Sequence, residues 1–332
     1  MRKIIIINII ILITFFLLIE FSLRIFVNIT PQGLSKGIID ENSSQPRFNF
    51  SNIKEGKVFG KNIYTDNKGF RITKDKSKKK FSNEIKILDD YFFVGGSVTF
   101  GAGVNQSETF SGILDKKFKN LSIHNASVIG SDIENNFYII KNKIDLSEAK
   151  KIFINLSLDD IINSDNVVNN QTEKGNDGGD FISKIKSNKF LILVNNFIKT
   201  KSVMYVWIKG SILDSEKRYY LFALKSYKNK NNINFFKKNL NLIKMFNNKN
   251  NKVNFIVIPY SFQISDRNCK KEDLSEKIIK KYLENMKFQY KSFKRIFCMD
   301  PKKDKIFLKY DPSHLSRYGH KIVSKHLIKE IN

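Results

Sequence analysis

The chain has 332 residues, 41% apolar and 13% aromatic, with 58 Lys and Arg against 32 Asp and Glu, a formal charge of +26. This is enough apolar material for one large α/β domain with an insertion and an appendage, and it excludes a disordered chain. The charge does not single out nucleic acid: lysine is spread along the whole chain among Asn, Ile and Phe, as a composition-biased genome produces. No nucleic-acid motif accompanies it, and no specific nucleic-acid partner is expected.

The first element is a membrane anchor, residues 1–28. Arg2 and Lys3 precede a run in which only Asn8 and Thr14 are polar between Ile4 and Ile19. About 20 residues cross the hydrocarbon core, so Ile4 to Phe26 suffices. Glu20 and Arg24, at i, i+4 spacing, can pair on one helical face near the far end. The rival reading is a cleaved signal peptide, but the run is long and no small-x-small cleavage site follows it. Positive charge ahead of the span predicts a cytoplasmic N-terminus and a domain outside the cytoplasm.

Residues 29–85 read as a stalk and lead-in punctuated by Pro31, Gly33 and Pro46, with a turn at Asn67-Lys68-Gly69-Phe70-Arg71 and a solvated charge run from Lys74 to Lys80. The main domain spans 86–332. Strands are expected at Tyr91–Val94, Leu121–Ala126, Lys151–Leu156, Val253–Ile258 and Arg295–Cys298. Helices are expected at Thr109–Phe118, Asn135–Lys143, Asn231–Asn247, Asp273–Ser292 and Arg317–Ile331. Strands alternating with helices imply a parallel sheet covered on both faces, a three-layer α/β/α arrangement. Residues 163–230 interrupt it, first as a Gly- and Asn-rich loop to Asp180, then as a helical insertion that could border the site. Cys269 and Cys298 are the two cysteines. In an exported domain they fit a single disulfide; the alternative is two unpaired thiols, with Cys298 on a buried strand.

Three short segments carry the chemistry. The apolar run Tyr91–Val94 ends in Gly95-Gly96-Ser97, which puts a serine on a tight strand-to-helix turn. Asn125 to Gly130 reads NASVIG. Asp311-Pro312-Ser313-His314 precedes the last helix and can present a base together with the carboxylate that fixes its tautomer. Serine, histidine and aspartate in these contexts are the equipment of a serine hydrolase or acyltransferase. Taken singly, each has a plainer reading: a Gly-Ser turn with a serine cap, or a capping aspartate and a surface histidine. Other glycine motifs fail. Ala102 stands where a P-loop requires lysine, Gln106 replaces the last glycine of a dinucleotide fingerprint, and Thr99 replaces the second glycine of a G-x-S-x-G elbow. His124, His320 and His326 read as structural.

These segments resemble the SGNH (GDSL-type) hydrolase superfamily, in particular its membrane-anchored exported bacterial members. The likeness runs from about Thr65 to the C-terminus. It rests on Gly95-Gly96-Ser97 with Gly101, on Gly130, on Asp311 and His314, and on the flanking NKGFR and VIPY. It implies a flavodoxin-like fold at the bacterial inner membrane, with Ser97 as nucleophile, His314 as general base and acid, and Asp311 as its orienting partner. It also implies an oxyanion hole from the N–H groups of Ser97 and Gly130. The substrate it implies is an acylated, chiefly acetylated, envelope carbohydrate or a small ester; no metal or organic cofactor is implied. Two positions depart from the pattern. Gly96 replaces an aspartate, and Asp159 stands where an asparagine completes the oxyanion hole. An ionised carboxylate only accepts hydrogen bonds, so Asp159 also admits a different class of function, a non-catalytic binder of glycan or of a partner protein.

Overall fold

The computed structural model describes residues 2–27, 29–34, 55–78, 89–163, 198, 201–247 and 252–331. Eight strands form one sheet: β1 (Glu55–Val58), β2 (Lys61–Thr65), β3 (Arg71–Ile72), β4 (Asp89–Val94), β5 (Leu121–Asn125), β6 (Ala149–Leu156), β7 (Val253–Val257) and β8 (Gln289–Ser292). Their order is β1-β2-β3-β5-β4-β6-β7-β8. The last five in this order are parallel to one another. Counted from β4, they follow the 2-1-3-4-5 order of flavodoxin-like sheets.

Strand alternation builds the three layers. Phe92 and Val94 face one apolar core with Ile152, Ile154 and the helices Ile133–Lys143, Lys230–Lys244 and Leu274–Asn285. Tyr91 and Phe93 face a second core with Phe153 and the helices Phe110–Lys117 and Arg317–Ile331. Phe93 is fully buried and stacks on Phe153 at 5.0 Å between ring centroids. Truncating such a side chain to alanine costs about 3–5 kcal/mol. Both faces of β4 are therefore covered, which explains its unbroken apolar run.

Three expectations change. The lead-in is no mere stalk: β1, β2 and β3 extend the sheet antiparallel, and Arg71 pairs with Asn125 of β5. The helix expected over Asp273–Ser292 ends at Asn285. The chain turns through Lys287, whose φ is +59°, and continues as β8. Its sequence, QYKS, is a half-exposed sheet edge with no apolar alternation to announce it. Arg295–Cys298, expected as a strand, lies in the helix Lys294–Cys298. β8 already fills the place beside β7, and the buried Phe293 and Phe297 are spaced four apart, a helical interval. The expected loop at 163–180 lies outside the described residues except for Asn163, as do residues 181–197 of the expected helical insertion.

That helix brings the cysteines together. The sulfurs of Cys269 and Cys298 are 2.08 Å apart, with 29 residues of separation. Replacing both by serine is expected to lower unfolding free energy by about 3–4 kcal/mol in the chain-entropy account. Denaturant titration of the two proteins checks this, and equal midpoints would contradict it.

Candidate active site

The site lies at the carboxyl ends of the parallel strands, where β4 is flanked by β5 on one side and β6 on the other. This is the switch point where open α/β sheets bind their ligands. Gly95 leaves β4 with φ +153°, and a Cβ there would approach Thr99 Oγ1 to 2.5 Å and the Asn155 carbonyl to 3.1 Å. No side chain fits, so the turn requires this glycine. Gly96 is different: a Cβ on it would meet only ordinary contacts, the nearest at 3.5 Å. Ser97 then opens the short helix Ser97–Phe100, which stops at Gly101 with φ +83°. The first turn of a helix leaves its N–H groups without intrahelical acceptors.

Ser97, His314 and Asp311 meet. Ser97 Oγ lies 2.8 Å from His314 Nε2, and His314 Nδ1 lies 2.9 Å from each Asp311 carboxylate oxygen. The backbone N–H groups of Ser313 and His314 donate to Asp311 Oδ1 at 3.0 and 2.7 Å. Gln32 Nε2 donates to Oδ2 at 3.1 Å. Burial pushes the Asp311 carboxyl upward, but His314 and these hydrogen bonds outweigh it and hold the group below the usual carboxylate range. For His314 burial pulls downward; the charge and hydrogen bond of Asp311, with the charge of Asp159, overcome it and raise the imidazole pKa.

The second segment is strapped to the Gly95-Gly96-Ser97 turn. Ala126 N–H donates to the Phe93 carbonyl and Val128 N–H to the Gly95 carbonyl, each at 2.9 Å. The Asn125 side chain donates to the Thr99 carbonyl at 3.2 Å. Gly130 follows, with φ +73°. Asp159 follows β6. Its Oδ2 accepts from the Tyr219 hydroxyl at 3.1 Å, and Tyr219 stacks on Tyr260 at 5.4 Å. The charge of Asp159 pushes the Tyr219 hydroxyl well above its ordinary pKa, which keeps it a donor. Asp160, next in sequence, is buried and accepts from Ser157 N–H at 2.8 Å. Burial, with the charge of Asp159, pushes its carboxyl well above the usual range.

Several contributors escape sequence reasoning. Phe59 packs edge-on against the His314 ring at 4.9 Å. It sits with Gly60 in the two-residue turn between β1 and β2, with φ values of +48° and +74°. Such turns favour Asn-Gly, and a phenylalanine at positive φ costs of order 1 kcal/mol. Tyr310 carries the insertion to the loop of Asp311 and His314: Ser215 Oγ donates to its carbonyl at 3.4 Å, and Gly210 packs on its ring. Of these only Arg71 belongs to a segment with a sequence signal, the turn Asn67-Lys68-Gly69-Phe70-Arg71. It is 2% exposed and donates to the carbonyls of Phe100, of Gly101 at 2.8 Å and of Val104 at 2.6 Å. Burial pulls its pKa down to about 9 against the upward pull of Glu108, so it stays cationic near neutrality. The other histidines lie away from this cluster. His124 is 3.1 Å from Asp90, and His320 accepts from Phe110 N–H at 3.3 Å.

Arg71→Ala is expected to take a charged donor from three buried carbonyls, of which Gly101 keeps the Val104 N–H at 3.2 Å and Phe100 the Asn125 side chain at 3.5 Å. At about 1–3 kcal/mol for a buried unsatisfied group, a loss of about 1–3 kcal/mol should appear in urea or thermal unfolding. A change under 1 kcal/mol would show that the clasp is dispensable.

No family model matches the chain, and no curated protein matches it either. Solved structures similar to it include the lipase/acylhydrolase from Enterococcus faecalis, with 12% identity over 74% of this chain and 95% of that one and a TM-score of 0.41. A member of the lipolytic protein G-D-S-L family from Veillonella parvula has 12% identity over 72% and 96% and a TM-score of 0.38. An acetyl xylan esterase has 11% identity over 73% and 100% and a TM-score of 0.40. At these values the likeness carries no argument about activity.

Proposed function

We propose that the chain is a membrane-anchored, exported serine esterase or O-acyltransferase of the SGNH type. Its substrates are ester groups, acetyl esters of an envelope carbohydrate foremost. The supporting observation is the continuous chain of contacts from Ser97 Oγ through His314 to Asp311, at 2.8 and 2.9 Å. His314 Nε2 takes the Ser97 proton as Oγ attacks the ester carbonyl. The developing oxyanion is received by the N–H groups of Ser97 and Gly130. His314 returns the proton to the leaving alkoxide, and the acyl group stays on Ser97. Water, or the hydroxyl of an acceptor, then attacks the acyl-enzyme with His314 again as base. Asp311 holds the imidazole and stabilises its charged form. The anchor is helix Arg2–Phe26, long and apolar enough to cross a membrane by length and composition. With Arg2 and Lys3 on the cytoplasmic side, the domain stands outside an inner membrane.

A fluorophosphonate probe tests the reading. It is expected to label the purified protein at Ser97 by mass spectrometry, and Ser97→Ala is expected to abolish labelling while circular dichroism stays unchanged. Adducts at another serine would overturn the assignment.

Asp159 favours a second reading, the non-catalytic binder. Its carboxylate repels an oxyanion where the resemblance calls for an amide donor, and loss of one such donor costs about 10²–10³ in rate. Asp159→Asn separates the two. For an enzyme, the variant should hydrolyse a small acetyl ester faster, by up to about 10²-fold. It also removes a charge that stabilises the His314 imidazolium. Wild-type kcat/KM should rise with pH through a midpoint above about 6.5, because the base form is lost as pH falls through a raised pKa. In the variant that midpoint should move downward. A folded protein inactive in both forms would count against the esterase and favour the binder.

A further inference from the structure

The insertion contains an apolar helix, Val203–Leu213, whose sequence is VMYVWIKGSIL. An apolar stretch this short is a buried core helix or an interfacial element. Burial covers only one side: Val203 and Val206 pack with Leu23 and Ile29. Trp207, Ile208 and Ile212 are 38%, 40% and 73% exposed. Leu221 and Phe222 of the next helix, Ser215–Ser226, are also exposed.

The anchor decides what covers this face. Glu20 accepts from Ser202 Oγ at 2.8 Å, from Val203 N–H at 2.9 Å and from Met204 N–H at 2.8 Å. Arg24 donates to Glu20 at 2.8 Å and to the Lys201 carbonyl at 2.6 Å. A carboxylate on the anchor thus caps the N-terminus of a helix some 180 residues away, where helix N–H groups favour an anion. A span of about 20 residues starting at Ile4 reaches its far edge near Leu23. At about 1.5 Å per residue, Glu20 is then within about 5 Å of that edge. The helix it caps therefore starts at the hydrocarbon boundary, and its first turn packs on Leu23 and Ile29 at the far end of the anchor.

We infer that helix Val203–Leu213 lies in the bilayer interface beside the anchor, with Trp207, Ile208 and Ile212 among the headgroups and upper acyl chains. The occupant of the exposed face is lipid. Tryptophan at this level matches the aromatic belts of membrane proteins. The helix also carries Gly210 and Ser211, which touch the Tyr310 ring and hydroxyl, so the interfacial element abuts the residue before Asp311. The inference rests on the anchoring reading of helix Arg2–Phe26.

Trp207 is the only tryptophan in the chain, so native fluorescence reports on it directly. The full-length protein is reconstituted in phosphatidylcholine–phosphatidylglycerol vesicles carrying doxyl labels at acyl carbon 5 or carbon 12. The carbon-5 label is expected to quench Trp207 at least twofold more than the carbon-12 label. Ile208→Lys/Ile212→Lys should lose at least half of that quenching. Anchoring is read separately, by resistance to alkaline carbonate extraction. Resistant protein without lipid quenching overturns the inference and leaves the anchor standing. Stronger quenching from carbon 12 overturns it in favour of deep insertion. Carbonate-extractable protein overturns both. In native membranes, a benzophenone placed at Ile212 should cross-link to lipid; a single protein adduct would overturn the lipid assignment.

Discussion

The architecture depends on one buried cation. Arg71 arrives on a two-residue strand at the junction of the antiparallel extension and the parallel sheet. Its guanidinium donates to the carbonyls of Phe100, Gly101 and Val104. Those groups belong to a chain that leaves a four-residue helix through a left-handed glycine, and the one backbone bond among them, Val104 N–H to the Gly101 carbonyl, does not serve all three. A planar donor set suits several convergent acceptors. The contact joins the lead-in to the turn carrying Ser97, so the register of one fixes the position of the other.

Around the serine, electrostatics is settled by carboxylates in unequal surroundings. Asp311 is ringed by donors and held ionised, so it keeps His314 oriented and raises its pKa. Asp160 is buried beside a like charge and driven the opposite way. The charge of Asp159, close by, raises the pKa of both the Tyr219 hydroxyl and the His314 imidazole.

The N-terminal apolar helix and the lead-in also make contacts within the domain. Gln32, a few residues beyond the apolar helix, completes the hydrogen bonding of Asp311. Phe59 tolerates an unfavourable backbone conformation while covering one side of His314. Glu20 caps a helix of the insertion. Segments that precede the parallel sheet thus hold Asp311, His314 and the insertion in place from outside.

The local features were legible in the sequence because local forces set them. The apolar run Tyr91–Val94 ending in two glycines, the amphipathic helices, the Asp311–His314 spacing and the long apolar N-terminus each follow from periodicity or chain stiffness over a few residues. The alternation of strands and helices carried the parallel three-layer fold. The sequence does not announce β8, a polar edge strand without periodicity, and the strand expected over Arg295–Cys298 is a helix because β8 already occupies the edge beside β7. Tertiary structure alone decided that Gln32, Phe59 and Tyr219 lie around Ser97, His314, Asp311 and Asp159 and that residues 55–72 continue the sheet. Their side chains act across gaps of tens to hundreds of residues. Such contacts depend on how packed layers bring distant loops together, and no local pattern encodes that distance.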